Sequence, residues 1–138
     1  MGRILCIDYG AKRTGLAVTD PLQIIASGLG TVDTPKLLPF LKSYFAVESV
    51  EKVLIGYPTN LDDSPTHATP LVNAFIKRLN KEFPSLPVLK VDERFTSKMA
   101  SRAMVEMGMK KKDRQNKRNI DEIAAIMMLQ EYLGNRNF

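Results

Sequence analysis

Apolar residues open the chain in a short continuous run that stops at a carboxylate. This run, Arg3–Asp8, is typical of a buried strand. The next segment, Thr14–Asp20, alternates partly between apolar and polar positions, and the turn-rich residues before it predict a hairpin with the first strand. A third strand is predicted at Ala26–Val32, more weakly because the segment contains two glycines. The chain is therefore expected to begin with three successive strands.

Helical spacing of apolar residues begins after residue 33. Thr34 is placed to cap a helix, and Pro35 suits the first helical position. A buried strand follows at Val53–Tyr57. Apolar residues recur at helical spacing over Leu71–Phe83, and a further strand is predicted at Val88–Val91.

Two helices complete the predicted order. One runs from about Ser97 to Met107, and the last is expected to begin at Asn119, because Glu122 three residues later completes a capping-box pattern. The predicted core face of the last helix consists of Ile120, Ile123, Ala124, Met127 and Met128. The order βββαβαβαα predicts an α/β protein with a mixed five-stranded sheet and helices on both faces. This is the three-layer ribonuclease H-like arrangement.

Length and composition narrow the class of protein. A chain of 138 residues suits a single domain spanning residues 1–138. The 44% of hydrophobic and 25% of charged residues are typical of a soluble globular protein. No secretory segment opens the chain, and no apolar run approaches the roughly 18 residues that span a bilayer, so we expect a cytoplasmic protein without a membrane partner. Cys6 lies within the first strand and is expected to be a core residue.

The net charge of +5 is concentrated in one segment. Residues 110–118 carry six basic residues against one acidic residue, whereas the other 129 residues balance. Clustered cations favour a polyphosphate partner, because their binding releases counterions from nucleic acid; a solvated loop is the alternative. The basic residues concerned are Lys110, Lys111, Lys112, Arg114, Lys117 and Arg118.

Three acidic residues stand at the ends of predicted elements. Asp8 and Glu93 follow apolar strands, and Asp121 lies in the first turn of the predicted last helix. Each has an ordinary alternative explanation, as a turn residue, a surface residue and a helix-dipole partner respectively. Together, at one end of a parallel sheet, they predict a site for Mg²⁺ or Mn²⁺. Two such ions, about 3.5–4 Å apart, support phosphodiester hydrolysis with water as the nucleophile.

Four ordered motifs resemble those of the YqgF family of bacterial ribonuclease H-like proteins. These motifs are Ile7–Gly10 with Arg13–Gly15, Ile55–Pro58 with Asn60, Asp92–Ser97 and Ile120–Ala125. Members of that family are described as Holliday junction resolvases and as nucleases maturing the 5′ end of precursor 16S ribosomal RNA. The resemblance runs essentially from end to end.

The resemblance implies roles for individual residues. Asp8, Glu93 and Asp121 match the acidic residues of the family. Arg13, Asn60 and Arg94 also match motif positions and would orient phosphates or the neighbouring carboxylates. One departure is Asp63, which stands where family members usually have glycine, and it affects the expected conformation of that loop.

The substrate and two other classes of protein stay open on the sequence. Lys12 and Arg13 lie in a turn where they could meet a phosphate, but nothing selects between RNA and a four-way DNA junction. A junction resolvase would need two sites and hence a homodimer. A nucleotide-binding protein of the actin and sugar-kinase type shares the opening pattern of acid and glycine, but it closes ATP between two domains. A ribosome-assembly module that binds without chemistry is the other alternative.

Overall fold

The computed structural model describes residues 2–58, 65–92, 102–114 and 116–135. Four residues to which the sequence assigned a role or a departure lie outside these ranges: Asn60, Asp63, Glu93 and Arg94. Arg114 is described by its backbone alone. Predictions about these side chains stay predictions.

Five strands form one mixed sheet, as predicted. They are β1 (Arg3–Asp8), β2 (Arg13–Thr19), β3 (Ala26–Asp33), β4 (Val50–Tyr57) and β5 (Val88–Asp92). Their order across the sheet is β3-β2-β1-β4-β5. The first three strands are joined antiparallel, whereas β4 is parallel to β1 and β5 is parallel to β4. The arrangement is the ribonuclease H-like one, and the bounds predicted for β1 are confirmed.

The described helices follow the predicted order, with one short addition. A 3-10 turn at Thr34–Lys36 leads into the helices α1 (Leu37–Val47), α2 (Thr69–Glu82), α3 (residues 102–106), α4 (Lys111–Arg114) and α5 (Lys117–Asn135). The four-residue α4 was not predicted. None of the described helices is long and apolar enough to span a membrane.

Two cores lie on opposite faces of the sheet. On one face Leu5, Ile7 and Leu16 pack with α1 and α2. On the other, Ile4 and Cys6 pack with α5, which confirms Cys6 as a fully buried core residue. Residues alternate between the two faces along each strand. A sheet covered on both sides explains the continuous apolar run of β1.

The buried face of α5 differs in part from the prediction. The helix buries Ala124, Ala125, Met128, Leu129 and Leu133. Ala124 and Met128 were predicted correctly, but Ile120, Ile123 and Met127 are only half-buried. Apolar residues occupy more than one side of this helix, so their spacing alone does not select the side that meets the sheet.

Both predicted helix caps are wrong. Thr34 belongs to the 3-10 turn itself, and its hydroxyl donates a hydrogen bond to the carbonyl oxygen of Gly10 instead of capping α1. The helix α5 begins before Asn119. The side chain of Asn116 accepts a hydrogen bond from the backbone N–H of Arg118 (3.0 Å), which is the contact of an N-cap residue.

Candidate active site

Two of the three predicted acids meet at one end of the sheet. Asp8 is the last residue of β1, and its Cα partner on β2 is Gly15. The backbone of α5 crosses directly over Gly15, so that a Cβ built there would collide with the carbonyl oxygen of Asp121. Antiparallel partners have Cα atoms about 4.5–5.5 Å apart. Gly15 therefore brings Asp8 and Asp121 into one neighbourhood.

The carboxylates of this pair share one face of the sheet. Ile4 and Cys6 pack against α5, and Asp8 follows at the next alternate position of the same strand. Side chains two residues apart on a strand point to the same side. Asp8 is thus directed to the side on which α5 carries Asp121.

The third predicted acid, Glu93, directly follows Asp92, which is the last described residue of β5. Ile7 pairs with Ile55 of β4, and Tyr57 of β4 pairs with Asp92 of β5, so the carboxyl ends of these parallel strands lie at one edge. Glu93 comes next in the sequence, outside the described residues. Within the described ranges no three His, Cys, Asp or Glu residues form a group that could hold a metal. The three-acid cluster therefore stays a prediction.

Asp121 is half-buried and paired with Arg13. The Nε of Arg13 donates a hydrogen bond to its Oδ2 at 3.1 Å. Burial raises the pKa of the Asp121 carboxyl above 3.8, although Arg13 most strongly, then Arg118 and Lys117, act in the opposite direction. Among the described residues, the charged carboxylate is thus incompletely compensated. A bound cation would stabilise that charged form.

The turn between β1 and β2 is closely fixed. The ring of Tyr9 stacks on Phe75 of α2, with ring centroids 4.6 Å apart. A Cβ on Gly10 would collide with the carbonyl oxygen of Arg13, so this tight turn requires glycine. Lys12 is exposed. The turn therefore presents a cation four residues after Asp8.

The basic segment (residues 110–118) ends beside Asp121. Lys110, Lys111 and Lys112 are exposed, and the charges of Lys117 and Arg118 act on Asp121. The predicted basic surface thus lies partly along the edge of the candidate site. Of its basic residues, Lys117 and Arg118 act on Asp121.

Arg118 holds the start of α5 to the edge strand β3. Its guanidinium pairs with the carboxylate of Asp33 and donates to the carbonyl oxygen of Thr31 at 3.1 Å. The hydroxyl of Thr31 donates in return to the backbone carbonyl of Arg118 at 2.7 Å. The structure thus gives Arg118 a structural role in addition to the phosphate contact that its charge suggests.

The donor chemistry of the site suits a hard divalent cation. Asp8 and Asp121 offer carboxylate oxygens, the ligands preferred by Mg²⁺ and Mn²⁺. No sulfur donor belongs to the pair. These two residues therefore fit as ligands of the ions that the sequence predicts.

Sequence reasoning assigned no role in this site to three residues that shape it, although it predicted a helix cap at one of them, Thr34. Tyr9 and Thr34 anchor the turn between β1 and β2, and Gly15 admits the backbone of α5. A glycine inside a strand often marks a close approach of another backbone, and this signal could have identified Gly15. The partners of Tyr9 and Thr34 depend on tertiary contacts.

The sheet order, the helices on both faces, and the meeting of Asp8 at the end of β1 with Asp121 of α5 define a protein of ribonuclease H-like class. A family model described as "RuvX: Holliday junction resolvase" matches residues 2–135. The chain belongs to this nuclease family, which confirms the membership indicated by the four motifs.

Relatives match along the whole chain. A protein of Flavobacterium johnsoniae is 54% identical over 138 residues, covering 100% of both chains. One of Christiangramia forsetii is 53% identical over 133 residues, covering 96% of this chain and 98% of the relative. One of Bacteroides thetaiotaomicron is 51% identical over 138 residues, covering 100% of both. Each carries the name "Putative pre-16S rRNA nuclease".

Proposed function

We propose that this protein is a metal-dependent endonuclease that hydrolyses phosphodiester bonds in structured nucleic acid. The observation that carries the proposal is the approach of Asp121 to Asp8 across Gly15, at the carboxyl end of β1. The adjoining basic segment supplies the charge that a polyphosphate substrate requires. Phosphodiester hydrolysis needs both groups, because the acids would hold the metal and the cations would bind the phosphates of the substrate.

The proposed metal ligands are Asp8, Asp121 and Glu93. We propose that they hold two ions of Mg²⁺ or Mn²⁺. Such ions activate water and stabilise the charge that develops on the phosphodiester oxygens. Arg13 fixes the carboxylate of Asp121 through its hydrogen bond. The half-buried position of Asp121 limits its hydration and strengthens its attraction for a cation.

The remaining predicted site residues are proposed to bind phosphates. Lys12 and the exposed lysines 110–112 lie on the surface. Lys117 and Arg118 act near Asp121. Asn60, Arg94 and Arg114 are assigned the same role from the sequence alone. Because these contacts concern the backbone of the nucleic acid, we expect shape to matter more than base sequence.

The proposed substrate is the 5′ end of precursor 16S rRNA, acted on in the cytoplasm. The names of the full-length relatives support precursor 16S rRNA as the substrate, whereas the 5′ end is proposed from the family resemblance of the four motifs. A four-way DNA junction is the second candidate, supported by the description of the matching family model. Symmetrical junction cleavage would require two sites and hence a homodimer.

One comparison tests both candidates. A purified sample is offered a precursor 16S rRNA fragment containing the 5′ processing site and, separately, a four-way DNA junction, each with Mg²⁺, with Mn²⁺ and with a chelator. We expect metal-dependent cleavage of the RNA fragment near the mature 5′ end. Cleavage of the junction alone would favour the second candidate. Binding without cleavage of either would favour an assembly module, and saturable ATP hydrolysis without cleavage would favour a nucleotide-binding protein.

A further inference from the structure

Thr34 fixes both sides of the turn between β1 and β2 (residues 9–12). Its hydroxyl donates a hydrogen bond to the carbonyl oxygen of Gly10 at 2.6 Å. Its backbone N–H donates to the carbonyl oxygen of Lys12 at 2.9 Å. Thr34, the first residue after β3, thus holds the turn at two peptide groups.

A third contact joins this turn to the core. The Oγ1 atoms of Thr34 and Thr14 lie 3.0 Å apart. A hydroxyl has one proton, and that of Thr34 is given to Gly10, so Thr14 is the donor in this pair. Thr14 is fully buried in β2. The hydrogen bonds therefore run from Thr14 through Thr34 to Gly10.

The turn held in this way is flanked by the groups of the candidate site. Asp8 precedes it, and Arg13, the hydrogen-bond partner of Asp121, follows it. Within it, Lys12 is the exposed cation. Because the tight turn at Gly10 leaves little room for adjustment, the orientation of its peptides decides where Lys12 stands relative to Asp8.

We propose that Thr34 is a positioning residue for substrate binding, acting through Lys12. Its hydroxyl holds the turn in the conformation that lets the Lys12 ammonium meet a phosphate beside the acids. This inference rests on the proposed nuclease function. It differs from a general stabilising role because it requires Lys12 as the group through which Thr34 acts.

A double-mutant cycle tests this dependence. Thr34→Val removes the hydroxyl and keeps the shape and the backbone N–H. It is compared with Thr34→Ser, Lys12→Ala and the double variant. Thr19→Val is the control. Thr19 is more deeply buried than Thr34, and like Thr34 it uses its hydroxyl in two hydrogen bonds. At the opposite end of β2 this hydroxyl accepts from the backbone N–H of Ile4 and donates to the carbonyl oxygen of Asp20, both at 2.9 Å. The dissociation constant and the KM and kcat are measured on the rRNA fragment and the DNA junction, with urea unfolding of every variant.

We expect Thr34→Val to raise Kd and KM about fivefold, the effect of removing one modest hydrogen bond, with kcat little changed. Thr34→Ser, which keeps the hydroxyl, should bind like the wild type. In the Lys12→Ala background, Thr34→Val should cause no further rise in Kd. The inference would be overturned if Thr34→Val bound as tightly as the wild type, or if it raised Kd as much in the Lys12→Ala background as in the wild type. It would also be overturned if Thr19→Val raised Kd by the same factor. Loss of the proposed function is recognised separately, since it would appear as absence of cleavage by the wild type, whereas the Kd cycle still reports on Thr34.

Discussion

At the scale of single residues, α5 meets β2 where a side chain is absent. Gly15 is the Cα partner of Asp8, and the backbone of Asp121 occupies the space that a Cβ would need. The obstructing atoms belong to the backbone, which cannot swing aside as a flexible side chain can. Any side chain at this position must therefore separate the helix from the strand and, with it, Asp121 from Asp8.

Replacing this glycine should damage stability and activity together. We expect Gly15→Ala to lower the free energy of unfolding by about 2–3 kcal/mol through overpacking and to reduce cleavage. The matched control is Gly134→Ala, since a Cβ at Gly134 of α5 meets nothing within 4 Å. Urea unfolding and cleavage assays on both variants provide the measurement. Equal stabilities of the two variants would show that the close approach has been misjudged.

Individual residues differ in how far their roles could be predicted from the sequence. Asp8 could be placed because the apolar run of β1 stops at it. The pairing of Arg13 with Asp121 joins residues 108 positions apart, and that of Arg118 with Asp33 spans 85 positions. No local pattern shows which of several cations reaches a given carboxylate. Such pairs depend on how the elements pack, which the residue pattern defines only coarsely.

At the scale of elements, the start of α5 shows how two similar signals compete. Asn119 with Glu122 fits a capping box, but Asn116 accepts the N–H of Arg118 and the helix starts at Lys117. The side chain of Glu122 lies over Gly28 of β3, where a Cβ would collide with it. The glutamate of the predicted capping box thus packs on the sheet.

The two asparagines should therefore differ in their effect on stability. Asn116→Ala removes the cap and should cost about 1 kcal/mol of unfolding free energy. Asn119→Ala removes one exposed bond from its amide to the carbonyl of Asp113 (3.0 Å) and should cost less. Urea unfolding of both variants at neutral pH distinguishes them. A larger loss for Asn119→Ala would restore the capping box predicted from sequence.

The loop between β2 and β3 provides a test that depends on pH. The carboxylate of Asp20 accepts hydrogen bonds from the backbone N–H groups of Ile25 (2.7 Å), Ile24 (2.8 Å) and Leu22 (3.1 Å). These bonds, that of Ile25 most strongly, hold the pKa of Asp20 below 3.8. An acid with a lowered pKa stabilises the fold above its unfolded-state pKa, and this contribution is lost as the pH falls through the folded-state pKa.

We therefore expect Asp20→Ala to destabilise the protein at about pH 6 and to have a much smaller effect near about pH 2. Thermal unfolding of wild type and variant across this range measures the difference. Asp20→Asn is the control, because its amide oxygen can still accept a hydrogen bond but does not titrate. A deficit of Asp20→Ala that is the same at every pH would contradict the role given to the charged carboxylate.

At the scale of the whole molecule, opposite charges lie side by side. The acidic pair stands at the carboxyl end of β1, and the basic segment (residues 110–118) contains α4 and reaches the start of α5, where Lys117 and Arg118 act on Asp121. Cations at the edge of an acidic site can bind phosphates of a nucleic acid on either side of the phosphate that is cleaved. In the proposed function, the basic segment would bind substrate and the acids would carry out the chemistry.

The basic segment should control the salt dependence of binding. Replacing Lys110, Lys111 and Lys112 with alanine should weaken nucleic-acid binding and reduce the slope of log K against log salt by about one for each phosphate that is no longer neutralised. Metal binding should be retained, because these lysines are not among the proposed ligands. Titrations at several salt concentrations provide the measurement. An unchanged slope would make the segment a solvated surface without a substrate role.

The architecture was more predictable than the site. Strands such as β1 and β4 contain continuous apolar runs because both faces of the sheet are covered. Such runs could be recognised in the sequence, and they allowed the order of strands and helices to be predicted. The approach of the acids from β1 and α5 depends on a helix crossing angle that no periodicity defines. The sequence placed Asp121 in the first turn of its helix; in the structure it is the fifth residue of α5. The single domain stays a prediction.

The most direct test of the proposed site compares two acids with different surroundings. Asp8→Asn alters a proposed metal ligand. Glu122→Gln alters the acid that follows Asp121 in the sequence, and the side chain of Glu122 lies over Gly28. Cleavage of the rRNA fragment with Mg²⁺ or Mn²⁺ is measured for both variants, together with binding. We expect cleavage to disappear in Asp8→Asn while binding persists, and Glu122→Gln to cleave like the wild type. Undiminished cleavage by Asp8→Asn would contradict the assignment of the acidic site.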